Sequence, residues 1–226
     1  MITSSAVIEI PLAFCAICSI IILTRCEKYY HYLAIFLHDH AIFKELPMEY
    51  CHFVNVDPET KQERMHHITP DFPYGADLCD LHIFPGNMFP WHWHRELEVF
   101  YMRRGSLTYH LPCGAVTFSQ GEGGFINSNI LHKTTCAPED ACIQEEQQFS
   151  PEFVGVNSLL LRKYVQPIVS SSELPFVKLD PSTAAHRPLL ELLCGCYRLY
   201  EEKPEGYELE LPQRLLQFWR LLFELT

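Results

Sequence analysis

Basic residues are scarce in this chain: 17 Lys and Arg stand against 28 Asp and Glu, a formal net charge of -11 over 226 residues. Phosphate backbones are bound by clustered cations, and the few here are scattered, so the composition excludes a nucleic-acid surface on this stretch. If the protein regulates transcription, another segment touches DNA. Long apolar runs are lacking as well. The cleanest, 10–24, is 15 residues, short of the ~20 that cross a bilayer. No positive region precedes it and no small-residue cleavage site is obvious after it, so a secretory leader is not expected. The ten cysteines show no secreted-scaffold spacing, and a domain of this size needs no staples. They are expected to be reduced and to pack as small hydrophobes. Cys15-x-x-Cys18 has no second pair to complete a metal or redox motif, and Cys194-Gly-Cys196 would diverge around a helix. No internal repeat is visible.

What is present is globular: 48% hydrophobic, 13% aromatic and 20% charged, enough for one substantial core plus an appendage. Three segments are expected. Residues 1–47 form an apolar extension with two readings. One is a membrane-anchoring helix that keeps Arg25 and Lys28 on the cytoplasmic side. The other, which Glu9 and Pro11 favour, is an upstream extension of the reading frame with Met48 as the natural start. Residues 48–150 are an arm and a β-barrel. Short strands are expected at 96–102, 106–111, 115–119, 124–127 and 141–149, separated by Gly, Pro and Asn. Residues 151–226 are helical. Ser150-Pro151-Glu152 is a helix start with a capping hydroxyl, and Arg187-Pro188 opens a longer helix with Leu189, Leu193, Cys196 and Tyr200 on one face. In a last helix Leu211, Leu215, Phe218, Leu222 and Leu225 share a face with Leu216, Trp219 and Phe223 beside it. That apolar surface is too wide for one neighbour, and its polar face is not basic enough for a membrane.

The most specific signal is Gly86, His92, His94, Glu98 and Gly105, which match the first cupin motif, G-x5-H-x-H-x3-E-x6-G, at every fixed position. Gly121 leads to His132, where the second motif expects its histidine, but Asn127, Asn129 and Cys136 replace its other marks. Side chains alternate along a strand, so His92, His94, Glu96, Glu98 and Phe100 would share the inner face and Trp93, Leu97, Val99 and Tyr101 the outer. These inner residues and His132 are the expected ligand-binding set. His92, His94, Glu98 and His132 suit Zn, Ni, Fe or Mn with positions left open. A metal-free, hydrogen-bonded His cluster that contacts a ligand directly is the other reading.

The strings HWHRELEVFYMRRGSLTYHL and GFINSNILHKT resemble the N-terminal sensor region of AraC-family transcription regulators from low-GC Gram-positive bacteria. ERMHHITPDFPYG resembles the arm before that barrel. YVQPIVSSSELPFVKLDP, LYEEKPEGYELEL and LLQFWRLLFEL resemble the helices after it, so the likeness covers roughly residues 48–226. The resemblance implies a non-catalytic cytoplasmic sensor: a cupin (jelly-roll) barrel that binds a small molecule, often a sugar, followed by α-helices that make a homodimer. It also implies two C-terminal helix-turn-helix units, which do not appear before Thr226. Pro212 departs from the family's smoother helix and leaves the start of that helix open. A metal-dependent cupin enzyme, of isomerase or dioxygenase type, is the alternative. His66 and His67 are expected to be solvated arm residues, and Trp91 to be core.

Overall fold

The computed structural model describes residues 55–65, 68–139 and 142–226. The apolar stretch 6–24, the Cys15/Cys18 pair, Met48, His66 and His67 lie outside them. Among the described residues no helix is long and apolar enough to cross a membrane.

Eight antiparallel strands build the barrel: β1 (Tyr74–Asp80), β2 (Met88–His92), β3 (Leu97–Leu111), β4 (Gly114–Ser119), β5 (Gly123–Ile126), β6 (His132–Thr135), β7 (Cys142–Phe149) and β8 (Phe176–Leu179). One sheet runs β1-β7-β3-β5-β8. In the other, β6 lies between β2 and β3, and β4 pairs β3. The expected strands 96–102 and 106–111 are therefore one strand, β3, that serves both sheets. Its first half pairs β5 and β7, and its second half pairs β4 and β6. A bulge between Met102 and Arg104 and Gly105 at φ 74° turn the corner between the halves without ending the strand. This is the cupin barrel and helical segment expected for the fold.

The helical segment holds α1 (Pro151–Val154), α2 (Ser158–Leu160), a π-turn (Leu161–Val165), α3 (Gln166–Val169), α4 (Arg187–Glu202) and α5 (Tyr207–Leu225). Pro151 occupies the first turn of α1 as expected, but the Ser150 side chain makes no capping bond. α5 continues through Pro212, which gives up one hydrogen bond. β8, unexpected in this region, returns from it to pair β5.

Alternation along the first sheet divides two cores. Tyr74, Leu97, Val99, Phe125 and Phe149 face outward and pack with Leu189, Leu193, Leu211, Leu215, Phe218 and Trp219 of α4 and α5. Phe100, Met102, Leu107, Tyr109, Phe118 and Ile126 fill the barrel. Glu98 thus lies one sheet's thickness from the helices. Contact is closest at Gly123, where an added Cβ would stand 2.5 Å from the Phe100 carbonyl oxygen and 2.8 Å from Leu190 of α4. Backbone cannot yield there, so Gly123→Ala should lower stability by about 2 kcal/mol or more in urea unfolding. A loss below about 0.5 kcal/mol would contradict this packing.

β7 is buried although its middle, Gln144 to Gln148, is wholly polar: Gln144, Glu145, Gln147 and Gln148 are all under 6% exposed. Gln147 accepts from Tyr74 Oη at 2.8 Å and donates to the Leu193 carbonyl at 3.1 Å, joining the sheet to α4. Glu145 accepts from Arg103 at 2.9 Å through Oε1, while its Oε2 has no partner. Burial holds its carboxyl above the usual range, against the opposing charge of Arg103. The folded state therefore binds this proton more tightly than the unfolded chain. The associated stability is present below the unfolded value of about 4.5 and is lost as pH rises. Glu145→Gln should gain on the wild type in Tm as pH rises from about 4.5 to 7.5. A difference constant with pH would show that the buried charge is not its cause.

Candidate functional site

The structure gathers His92, His94 and His132, all under 5% exposed, at one end of the barrel. Their ligating atoms lie within 4.8 Å of one another. His92 ends β2 directly opposite His132 on β6, with ring centroids 4.1 Å apart. His94 does not continue the strand as expected. The chain leaves β geometry between Trp93 and Glu96 and re-enters at Leu97. That bend lets the Glu96 carbonyl accept from His94 Nδ1 at 3.0 Å.

The same device holds all three rings. His92 Nδ1 donates to the Pro90 carbonyl and His132 Nδ1 to the Ile130 carbonyl, each at 2.8 Å. With Nδ1 bound to backbone, every Nε2 is turned into a common space, the arrangement found at imidazole metal ligands. Glu98 receives them. Its Oε2 lies 3.1 Å from His94 Nε2 and 3.5 Å from His132 Nε2, and its Oε1 accepts from Tyr109 Oη at 2.5 Å.

Burial alone would raise the Glu98 carboxyl, but hydrogen bonds from His132 and His94 outweigh it and hold Glu98 well below its ordinary range. Burial works against the His94 cation too, yet the Glu98 hydrogen bond and charge raise its value. Burial and then the His132 and His94 charges push His92 well below its ordinary value, so His92 is neutral at pH 7 and offers a lone pair.

Three of the expected residues lie elsewhere. Glu96 contributes its carbonyl, while its side chain is half-buried and does not line the central cavity. Phe100 lies in the core, stacked on Tyr109 at 4.7 Å, and also does not line it. Trp91, expected as core, is 37% exposed with the Lys133 ammonium over its ring.

The cavity is bordered by His92, Glu98, Tyr109, His132, Gln144 and Glu146, with room at its centre for one water-sized body. Sequence reasoning missed Tyr109, Gln144 and Glu146. Burial, and then the Glu98 charge, hold the Glu146 carboxyl well above its usual range, on the cavity wall it shares with Glu98. Gln144 Nε2 donates to Glu146 at 2.7 Å. The only sequence signal was their place on a strand, IQEEQQF, that reads as solvated.

Glu63 was missed as well. The arm folds into a small hairpin, with Val56 bridging Glu63, Asp57 N donating to the Gln62 carbonyl, and Asp57 Oδ1 holding the turn at Thr60. The hairpin docks on the site: Glu63 N donates to the Trp93 carbonyl at 2.9 Å, and Trp93 Nε1 to the Thr60 carbonyl at 2.8 Å. This places Glu63 Oε2 3.5 Å from His92 Nε2. Burial pushes its carboxyl up to about 7.

No family model matches the chain. It is 25% identical over 161 residues to the uncharacterized HTH-type transcriptional regulator YdeC of Bacillus subtilis strain 168, a match covering 71% of this chain and 55% of that protein. The chain thus spans about half the length of the curated relative it matches. Among solved structures, a cupin-2 domain containing protein from Shewanella frigidimarina NCIMB 400 is 26% identical, covering 37% of this chain and 72% of that one, with a TM-score of 0.28. An RmlC-like cupin from the same organism is 18% identical, covering 34% and 66%, with a TM-score of 0.30. At such scores the assignment of the barrel rests on its own strand pairing. The chain is similar to a transcriptional regulator and carries a cupin-type barrel.

Proposed function

We propose that this chain is the small-molecule-sensing and dimerisation region of an AraC-type transcription regulator, cytoplasmic and without catalytic activity, whose sensing centre is the buried histidine cluster. The observation that carries this reading is the joint between site and helices. Glu98 holds the cluster from the inner face of β3, while its neighbours Leu97 and Val99 pack on the opposite face in the core shared with α4 and α5. A change of position at the site therefore meets the helices after one strand.

In this reading His92, His94, Glu98 and His132 hold a divalent transition metal such as Zn, Ni, Fe or Mn. The donor set supports it: three backbone-anchored imidazoles turned inward around a carboxylate, with space for one small body. Bound there, the metal would supply positive charge and open positions that attract oxygen atoms of an effector.

The helices support the dimer. On α5, Leu209, Leu216 and Phe223 recur every seven residues and are 74%, 37% and 38% exposed, a stripe suited to a second copy of the same helix. Sedimentation equilibrium at micromolar concentration is the test. A dimer that Leu216→Glu with Phe223→Glu converts to monomer is expected, and a wild-type monomer would count heavily against this function. DNA binding is expected to stay at background for this acidic stretch.

A metal-dependent enzyme of isomerase or dioxygenase type is the second reading. It draws on the completeness of the donor set and on Glu63, a buried carboxyl beside it. Turnover of a small substrate by metal-loaded protein would favour it.

A further inference from the structure

A second group of reactive side chains lies outside the histidine cluster, where β6 passes to β7. Cys136 follows β6 and Cys142 opens β7, in the sequence Cys-Ala-Pro-Glu-Asp-Ala-Cys. Neither is in a disulfide; the first is half-buried, the second buried, and Cys136 packs against the core cluster that holds Cys142, close enough to act on its thiol. On its other side Cys136 Sγ lies 3.8 Å from His82 Nε2. His82 Nδ1 donates to Asp80 Oδ1 at 2.9 Å, and the same oxygen accepts from the His82 backbone at 3.0 Å. Asp80 therefore fixes the ring and its tautomer, leaving Nε2 free to take the Cys136 proton. Among the described residues the group with three metal-ligating atoms within 4.8 Å of one another is His92, His94 and His132, and the thiol pair is not part of it.

We propose that Cys136 and Cys142 form a dithiol that a hydroperoxide converts into a disulfide, with Cys136 as the attacking thiol and His82 as its base.

Cys136 gives its proton to His82 Nε2, and the thiolate attacks the terminal oxygen of the hydroperoxide. The O–O bond breaks, an S–O bond forms, and the departing alkoxide takes the proton back from His82 as an alcohol. Cys136 is then a sulfenic acid. The Cys142 sulfur displaces its hydroxyl, which leaves as water with the Cys142 proton. In sum, two thiols and one hydroperoxide give a disulfide, an alcohol and water; sulfur loses two electrons and the peroxide bond gains them.

The division of roles follows from burial. Half-buried Cys136 is open to a small oxidant and has the base. Cys142 is enclosed, and burial pushes its thiol well above its ordinary value, which suits a resolving thiol and not an attacking one. The bond would fasten β6, which carries His132, to β7, which carries Gln144 and Glu146.

The test uses the full reduced chain, treated with equimolar hydrogen peroxide, quenched with N-ethylmaleimide and mapped by mass spectrometry. The expected product is a peptide pair joined through Cys136 and Cys142, formed before exposed Cys113 is oxidised. In Cys142→Ser, Cys136 should stall as a sulfenic acid trapped by dimedone. In His82→Gln, disulfide formation should slow about a hundredfold, the low end of general-base effects. Alkylation of both thiols after Cys113 has reacted, a Cys136–Cys79 bond, or wild-type rates in His82→Gln would each overturn the proposal. The wild-type map decides the pairing by itself, so a variant that fails to fold leaves the test intact.

Discussion

His132→Ala should reduce divalent-metal affinity by about a hundredfold or more, measured by competition against a chromophoric chelator. Loss of one outer-shell partner costs a metal site about 10- to 100-fold, and in the proposed site His132 is a direct ligand. It stands directly opposite His92 in the β2–β6 pair, its Nδ1 is held by the Ile130 carbonyl, and its Nε2 faces Glu98 at 3.5 Å. Trimming it leaves two imidazoles and a carboxylate, and removes one of the hydrogen bonds that keep Glu98 ionised. Thr134, two residues on along β6, lines the same cavity without belonging to the donor set. Thr134→Val should therefore bind within about threefold of wild type. Equal affinity of wild type and His132→Ala would place any bound metal elsewhere on the chain.

Trp219→Ala should destabilise the fold by about 4 kcal/mol, a loss typical of a large buried aromatic, and lower Tm by roughly 10 °C in a chain of this size. Trp219 is 2% exposed. It meets Phe125 of β5 edge-on at 5.9 Å, and its Nε1 donates to the Tyr164 carbonyl at 3.0 Å. It therefore ties α5 both to the barrel and to the π-turn at Leu161–Val165. Because both sides rest on it, circular dichroism at helix and strand wavelengths should report one shifted transition. Helix loss ahead of barrel loss would mean that the two segments do not share a core.

Much of this was legible in the chain. Motif spacing placed His92, His94, Glu98 and His132 together, although a bend between Trp93 and Glu96, and not strand alternation, brings His94 to the others, and the β2–β6 pairing brings His132 opposite His92. The helix starts at Pro151 and Arg187 and the inner face of α5 were legible from Pro positions and apolar periodicity. Three features were hidden for physical reasons. The β3 corner depends on a bulge and one left-handed glycine, which look like a break between two strands. Glu63 reaches the site only through a hairpin whose docking on Trp93 is made by backbone groups, which carry no residue signature. Glu146 and Gln144 belong to a strand so polar that it reads as exposed, yet β1 and β3 cover it on both edges and hydrogen bonds satisfy most of its side chains.

Occupancy of the histidine cluster should be felt by the helices. Hydrogen exchange of the full chain, with and without a stoichiometric divalent metal such as zinc, tests it most directly. One metal per chain is expected to slow exchange in β2 and β6 and also in α5, across the sheet from Glu98. Protection confined to β2 and β6, or no binding at all, would contradict it.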